Sequence, residues 1–509
     1  MNGVLKRVQA QWVEIAAALL LAGLGCVSVY RAATQSITAD EAFTYNHFAG
    51  GDEPVRVYDA NNHVLFTWLA RASVGVFGLS ELSLRLPAVL GGWFYLAAVS
   101  VLARRLYGRG WLFLLAVAAL ALNPFVLDFL SAARGYGLAL ALLMWAIHLA
   151  ALDLEAQAPS NRWWRAMALC LALAVAANLN FAVPGAALAA SFCLLTVARR
   201  PPAVVRMAEL ARNLLAPGLL AAIALLAWPL RTARKSAFYY GVDSLRQTLQ
   251  GLLYYSFCHS APEPPSRLQN LLWDASHWVT PAVLLAAAAV SAWLTPRLVR
   301  CGEWRREEGF LALASGTSWL ALGLLVALKG LVGLKYPVDR TALYWIPLWT
   351  LLALTLVALA NRGPAKTVPA GSRIARRLVS VSLATCLGVA VAQYVLQFDT
   401  RYYAQWRYDA GTKQMMRIMV ARAGSHPARR VRVGASWMLE PSLNFYRQRY
   451  RLTWMDKVTR DGPRGDFDYY LLIGEDTALV SEKGLAALYR HPLSGAVLAV
   501  RQSMLQSRQ

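Results

Sequence analysis

Little of this chain is charged, and little of what is charged is acidic. Asp, Glu, Lys and Arg make up 16% of its 509 residues, against about 25% in soluble domains. That shortage excludes an ordinary soluble enzyme, and hydrophobic residues, at 57%, take up the difference. Only 28 acids face 51 Lys and Arg, leaving a formal charge of +23. In a soluble chain such an excess points to nucleic acid. Here many Arg lie in short links between apolar runs, where positive charge orients a membrane protein, so membrane lipid is the expected partner and nucleic acid is not. The six cysteines show no metal-ligand spacing. Most sit within apolar runs, where Cys acts as a small hydrophobe, which argues against a disulfide framework or a cysteine metal site. Internal repeats and low-complexity tracts are absent.

What is present is a series of long apolar runs, the mark of bilayer-spanning helices. About eleven spans are expected, near 11–30, 86–103, 111–127, 136–152, 164–178, 181–198, 214–230, 278–295, 310–328, 343–360 and 378–397. The first run has no small-residue cleavage pattern after it and reads as a retained helix. With Lys6 and Arg7 in the cytoplasm, every inside link is basic, from Arg104 and Arg105 through to Arg376 and Arg377, as the positive-inside rule requires. Residues 166–198 are too long for one span, and "NLNFAVPG" in their middle predicts a helical hairpin. The stretch 64–79 carries Arg71 at its centre, where a charge costs roughly 2.5–3.5 kcal/mol on insertion, so it is expected along the membrane surface. The fold class is thus a polytopic α-helical membrane protein. Residues 1–397 form its transmembrane domain, with outer loops at 31–85 and 231–277. The more polar tail, 398–509, is expected as a small α/β domain, with strands at "VRVGASW", "DFDYYLLIG" and "GAVLAVRQ" and helices at "EPSLNFYRQRY" and "EKGLAALYR". The Ala-, Leu- and Arg-rich composition favours a bacterial inner membrane, with the tail on the periplasmic side.

The polar residues that composition makes rare gather at the outer helix ends and in the outer loops. They include the pair Asp40 and Glu41 in "TADE", Asp59, Asn61, Asn62, His63, Arg85, Asp128, Arg134, His259, Lys335 and Arg340. A transporter more often places ionisable groups near the midplane, so a reaction centre at the outer leaflet is expected. Two readings stand for several of these. Thr38 and Glu41 fit a capping box, which leaves Asp40 free to face a site, and Glu41 stands beside it as a second candidate catalytic residue that caps the turn or supports the site. Asn61, Asn62 and His63 can cap the following helix or bind substrate. Arg85 and Arg134 can reach lipid headgroups or grip a phosphate, whose oxygens suit the planar guanidinium fork. Lys335, Arg340 and Tyr344 in "KYPVDRTALYW" add a further cationic helix tip.

Taken together, the acidic pair, "YDANNHVLFTWLAR", "SELSLRLPAVLGGWFYL" and "NPFVLDFLSAARGYG" resemble the GT-C membrane glycosyltransferases, most nearly the branch of the protein O-mannosyltransferases and the lipid A aminoarabinose transferase. The resemblance covers roughly residues 10–360 and is densest over 36–140. It implies a sugar donor carried on a polyprenyl phosphate and transfer at the outer membrane face, usually with inversion. Acceptors in such a family are a glycolipid such as lipid A, another glycan or a protein. It also implies no cofactor, the lipid-linked sugar being a substrate, and no metal is expected. The first acid of the loop pair, matching Asp40, is implied as catalytic base, and the Arg before "LP", matching Arg85, as a holder of the donor phosphate. Where many relatives have a His-Pro-Pro type stretch, this chain has "NNHVLF". Two readings of other classes remain at this stage, a transporter or flippase of lipid-linked glycans and a non-catalytic binder of them.

Overall fold

The computed structural model describes residues 2–51, 59–199, 203–234, 238, 240–260, 267–300, 305–362, 373–424 and 430–502. The Pro-rich break at 261–265 lies outside the described residues. The helices run α1 (Asn2–Thr34), α2 (Ala39–Thr44), α3 (Val64–Phe77), α4 (Glu81–Tyr107), α5 (Trp111–Ala121), α6 (Pro124–Phe129), α7 (Tyr136–Glu155), α8 (Asn161–Ala177) and α9 (Ala182–Arg199). They continue with α10 (Ala203–Leu210), α11 (Ala216–Leu230), α12 (Leu245–Phe257), α13 (Arg267–Arg300), α14 (Arg306–Ala327), α15 (Trp345–Arg362) and α16 (Arg373–Leu396). Three further helices, α17 (Thr412–Ala423), α18 (Glu440–Arg449) and α19 (Leu479–Glu482), belong to the tail.

Every expected span is helical, but among the described residues eight helical stretches are long and apolar enough to cross a membrane. The chain is a multi-pass membrane protein. The other three expected spans fall on α5, α8 and α13. The run 111–127 is broken because Asn123 caps a new helix: its Oδ1 accepts from Phe125 N (3.1 Å) and Val126 N (3.2 Å), and Pro124 restricts the residue before it. Helix α8 is 17 residues long with a polar first turn. The hairpin over 166–198 forms as expected, α8 ending at Ala177 and α9 starting at Ala182. Helix α3, at 14 residues, is too short to span.

Pro87 lies inside α4, where proline removes the backbone bond to the carbonyl four residues earlier. That carbonyl, Ser83 O, accepts from Ser73 Oγ instead, at 2.6 Å. The "RLP" sequence thereby pins α3 to the start of α4.

The tail holds a four-stranded sheet of order β1-β2-β4-β3, built from β1 (Val433–Ala435), β2 (Tyr469–Leu472), β3 (Leu485–Arg490) and β4 (Val497–Arg501). β1 and β2 are parallel, while β4 is antiparallel to both β2 and β3. The three expected strands form, and so does the helix at 440–449. "EKGLAALYR" is corrected: only its first residue is helical, and Leu485–Arg490 is a strand. Gly484 sits at φ 58°, a left-handed conformation that ends helices, and the following residues pair with β4.

The tail shares a core with the first outer segment. Ile37, Ala42, Phe66 and Ala88 are buried in the same cluster as Met415, Leu443 and Leu498. Full burial of such large side chains stabilises by about 1.5–3 kcal/mol each. A polar clamp reinforces the contact. Tyr446 Oη accepts from Ile37 N at 2.9 Å and donates to Glu81 at 3.2 Å, while buried Glu81 also pairs with Lys413 and Arg449.

Candidate active site

Thr38 opens α2 with a complete capping box. Its hydroxyl accepts from Glu41 N at 3.3 Å, and its own N–H donates to Glu41 Oε2 at 2.9 Å. Glu41 is fully buried. It takes Arg85 Nε (2.8 Å) on Oε1 and an Arg85 terminal nitrogen (2.6 Å) on Oε2, and Ala133 N donates to Oε1 as well. The expectation of a catalytic role for Glu41 is therefore corrected: both oxygens hold the fold. Arg85 is corrected with it. Its guanidinium has no exposure, and its remaining donors go to the carbonyls of Ala32, Gln35 and Ser36 at 2.7–3.2 Å. No donor is left for a phosphate. Arg85 fixes the exit of α1 to the entry of α2.

Asp128 and His259 are corrected in the same way. His259 Nε2 lies 2.9 Å from Asp128 Oδ2, which also accepts from Ala404 N at 2.9 Å, and Arg31 pairs with the other oxygen. Both residues are buried, and the triad ties α1, α6 and the segment after α12 to the start of the tail.

The other predicted residues do converge. Asn61, Asn62, His63, Arg134, Lys335, Arg340 and Tyr344 all line one cavity of about 300 Å³. Asp59 stands at the start of that loop, its Oδ1 accepting from Asn61 N at 2.7 Å. Asp40 reaches the cavity through Arg340, whose terminal nitrogen is 3.0 Å from Asp40 Oδ2. Asp40 keeps 24% of its side-chain exposure, whereas Glu41 keeps none. The capping box thus separates two adjacent acids, one buried as structure and the other partly exposed and paired with an arginine that lines the cavity.

Arg134 holds this end of the cavity together. It donates to Asp40 O (3.2 Å), Thr44 Oγ1 (2.9 Å) and Asn61 O (3.3 Å). Its neighbour Gly135 packs so closely on the Ala177 carbonyl and on His63 that a Cβ would overlap them, which explains the glycine in "ARGYG". His63 stacks edge-on to Tyr136 at 5.1 Å. Burial, with the charges of Arg134 and Arg340 nearby, holds its imidazole well below the usual histidine range, so it is neutral at physiological pH. Apolar side chains, among them Val183, Leu226, Leu230 and Leu328, line the same cavity. The site can therefore take an anionic head with a greasy stem, beside a carboxylate able to accept a proton.

Several contributors escape a reading of the sequence. Tyr240 comes from the second outer loop, brought in by a bridge between Val242 and Tyr336, and stacks under the Arg340 guanidinium at 4.7 Å. Trp406 of the tail lies under the same group at 5.6 Å. Asn178, at the hairpin turn, lines the cavity. Asp409 lies 370 positions from Ala39, yet its Oδ2 accepts from Ala39 N at 2.7 Å and so caps the helix that carries Asp40.

Burial pushes the Asp409 carboxyl up to about 8, above the roughly 3.9 of an unfolded chain. The acid is then neutral in the fold while an unfolded chain gives up its proton, so its contribution to stability is present below about pH 4 and drains away as the pH rises to about 8. Asp409→Asn is expected to flatten this part of the pH profile of thermal unfolding. An unchanged slope in the variant would remove Asp409 as its source.

No family model matches the chain, and no curated protein matches it. Among solved structures, it is similar to apo ArnT from Cupriavidus metallidurans, with 14% identity, 97% of this chain and 98% of that one covered, and a TM-score of 0.45. It is also similar to the oligosaccharyltransferase of Archaeoglobus fulgidus (13% identity, 94% and 73% covered, TM-score 0.47). A third is the arabinofuranosyltransferase AftD from Mycobacteria (15% identity, 96% and 40% covered, TM-score 0.46).

Proposed function

We propose that the chain is a glycosyltransferase that moves a sugar from a polyprenyl-phosphate donor to an acceptor at the periplasmic face of the inner membrane, with Asp40 as general base. The observation that carries this reading is the cavity itself. Arg134, Lys335 and Arg340 line it together with apolar residues such as Val183, Leu226 and Leu230, and the Asp40 carboxylate is 3.0 Å from Arg340. Cationic donors match a phosphate, and the apolar wall matches a prenyl chain.

In the reaction an acceptor hydroxyl oxygen forms a bond to the anomeric carbon as the bond from that carbon to the phosphate oxygen breaks. The hydroxyl proton passes to Asp40, and the polyprenyl phosphate leaves as an anion held by the cationic side chains of the cavity lining. The leaving group is already a stable anion, so one carboxylate suffices where glycoside hydrolysis uses two. Attack opposite the phosphate inverts the anomeric centre. No step calls on a cofactor.

Purified protein in liposomes, given a polyprenyl-phosphate sugar and candidate glycolipid, glycan and peptide acceptors, is expected to release one lipid phosphate per sugar joined. Passage of intact lipid-linked sugar across the bilayer would favour a transporter, and binding with neither passage nor transfer would favour a scaffold. Arg340→Ala is expected to weaken polyprenyl-phosphate binding by about 1.5–3 kcal/mol, the worth of hydrogen bonds to charged groups. Direct binding of the bare lipid phosphate checks this.

The orientation has its own test. A reporter fused after Gln509 is expected to act as periplasmic and one fused near Arg305 as cytoplasmic. The same compartment for both would overturn the arrangement.

A further inference from the structure

We infer that the cavity is built for a donor sugar that is uncharged and hydroxyl-bearing, and that it rejects a protonated amino sugar; this rests on the donor reading proposed above. Three buried polar groups on residues of the cavity wall have hydrogen-bonding capacity that no described residue uses. They are His63 Nε2, Asn178 Nδ2 and the Tyr344 hydroxyl, on residues 4%, 1% and 1% exposed. Buried polar atoms are nearly always satisfied, and three such atoms on residues that line one cavity mark a place where a polar ligand completes them.

Their chemistry says which ligand. Asn178 Oδ1 is already committed, accepting from Asn180 N at 3.0 Å and Asn180 Nδ2 at 2.9 Å. That fixes the amide orientation and leaves a donor for the ligand. Tyr344 offers a second donor. His63 is held neutral by burial and by Arg134 and Arg340, so its Nε2 pairs with a hydroxyl and carries no charge of its own. Two donors and a neutral imidazole suit sugar hydroxyls, which both give and accept hydrogen bonds.

Charge says what is excluded. The described lining residues include Arg134, Lys335 and Arg340 but no carboxylate. The carboxylates that touch lining residues are already engaged: Asp40 pairs with Arg340, Asp339 accepts from the Tyr240 hydroxyl at 3.2 Å and Asp59 accepts from Asn61 N at 2.7 Å. A sugar ammonium placed here meets like charges in a partly desolvated space, where repulsion far exceeds that in water. The contacts of the donor phosphate with these cations are common to both kinds of lipid.

The test measures binding of three probes to the full chain in detergent: undecaprenyl phosphate alone, the same lipid carrying glucose, and the same lipid carrying 4-amino-4-deoxyarabinose. The glucose lipid is expected to bind at least about tenfold more tightly than the amino-sugar lipid, with the gap closing as the pH is raised past the amine's pKa. Tyr344→Phe removes only a hydroxyl that donates to no described residue. It is expected to lose part of the gain that glucose gives over the bare lipid phosphate. Asn178→Asp keeps the oxygen that receives Asn180 N–H and adds a carboxylate, and is expected to shift preference toward the amino sugar. Equal or tighter binding of the amino-sugar lipid by the unaltered chain would overturn the inference. Equal binding of all three would overturn it while leaving the lipid-phosphate reading standing, and failure of all three to bind would overturn both.

Discussion

Asp40→Asn is expected to reduce sugar transfer to a hydroxyl acceptor by about 10²–10⁴-fold, the usual worth of a positioned general base. The substitution keeps the shape of the side chain and removes its capacity to take a proton. Expression should not change, because the α2 capping box is made by Thr38 and Glu41 and the helix is tied in place by Asp409 through Ala39. Donor affinity should stay within a few fold, since Arg340 keeps its stack on Tyr240 and Arg134 bonds the Asp40 carbonyl and not its carboxylate. Turnover, measured as sugar joined per lipid phosphate released, is therefore the readout that moves. Full turnover in this variant would remove Asp40 from the chemistry.

Glu41→Ala, one residue along, is expected to fail for a different reason. It would leave the Arg85 guanidinium buried without its counter-ion, and breaking such a pair costs about 3–5 kcal/mol. That is a large share of the roughly 5–15 kcal/mol by which domains are stable. It also frees the amides of Thr38 and Ala133 inside the protein. Loss of monodisperse protein and a lower unfolding temperature in detergent are expected before any activity can be measured. Glu41→Gln keeps one acceptor for the cap but turns an NH2 toward Arg85 or Ala133, so it should fall between. A Glu41→Ala protein that melts like the parent and lacks only turnover would return Glu41 to the catalytic residues.

These contrasting expectations show where the sequence is legible. Apolar runs and basic links are one-dimensional signals, so the helices and the strands at 433–435, 469–472 and 497–501 could be placed from them. "TADE" is a local motif, and its cap could be anticipated. What the sequence could not show was which charged groups would be consumed. Arg85 and Arg134 look alike at outer helix ends, yet the first is spent on Glu41 and on α1 carbonyls while the second faces a cavity. That difference depends on how α1, α4 and α7 pack, and no spacing encodes it. Tyr240, Trp406 and Asp409 come from segments with no chemical motif and reach the site only through tertiary contacts. At Leu485–Arg490, pairing with β4 overrode a helical pattern once Gly484 had broken the chain direction.

The reach of Asp409 has a bearing on how the molecule is made. Synthesis runs from the N-terminus at about 5–20 residues per second. Ala39's amide finds its partner 370 residues later, and that of Ile37 finds the Tyr446 hydroxyl 409 residues later, so each waits for tens of seconds. A chain interrupted before Trp406 has inserted its spans yet leaves Arg340 without the indole beneath it and α2 without its buried cap. Assembly is thus gated late: the segment from Trp406 onward sets the helix that carries Asp40 in place, and chains interrupted before it lack that support.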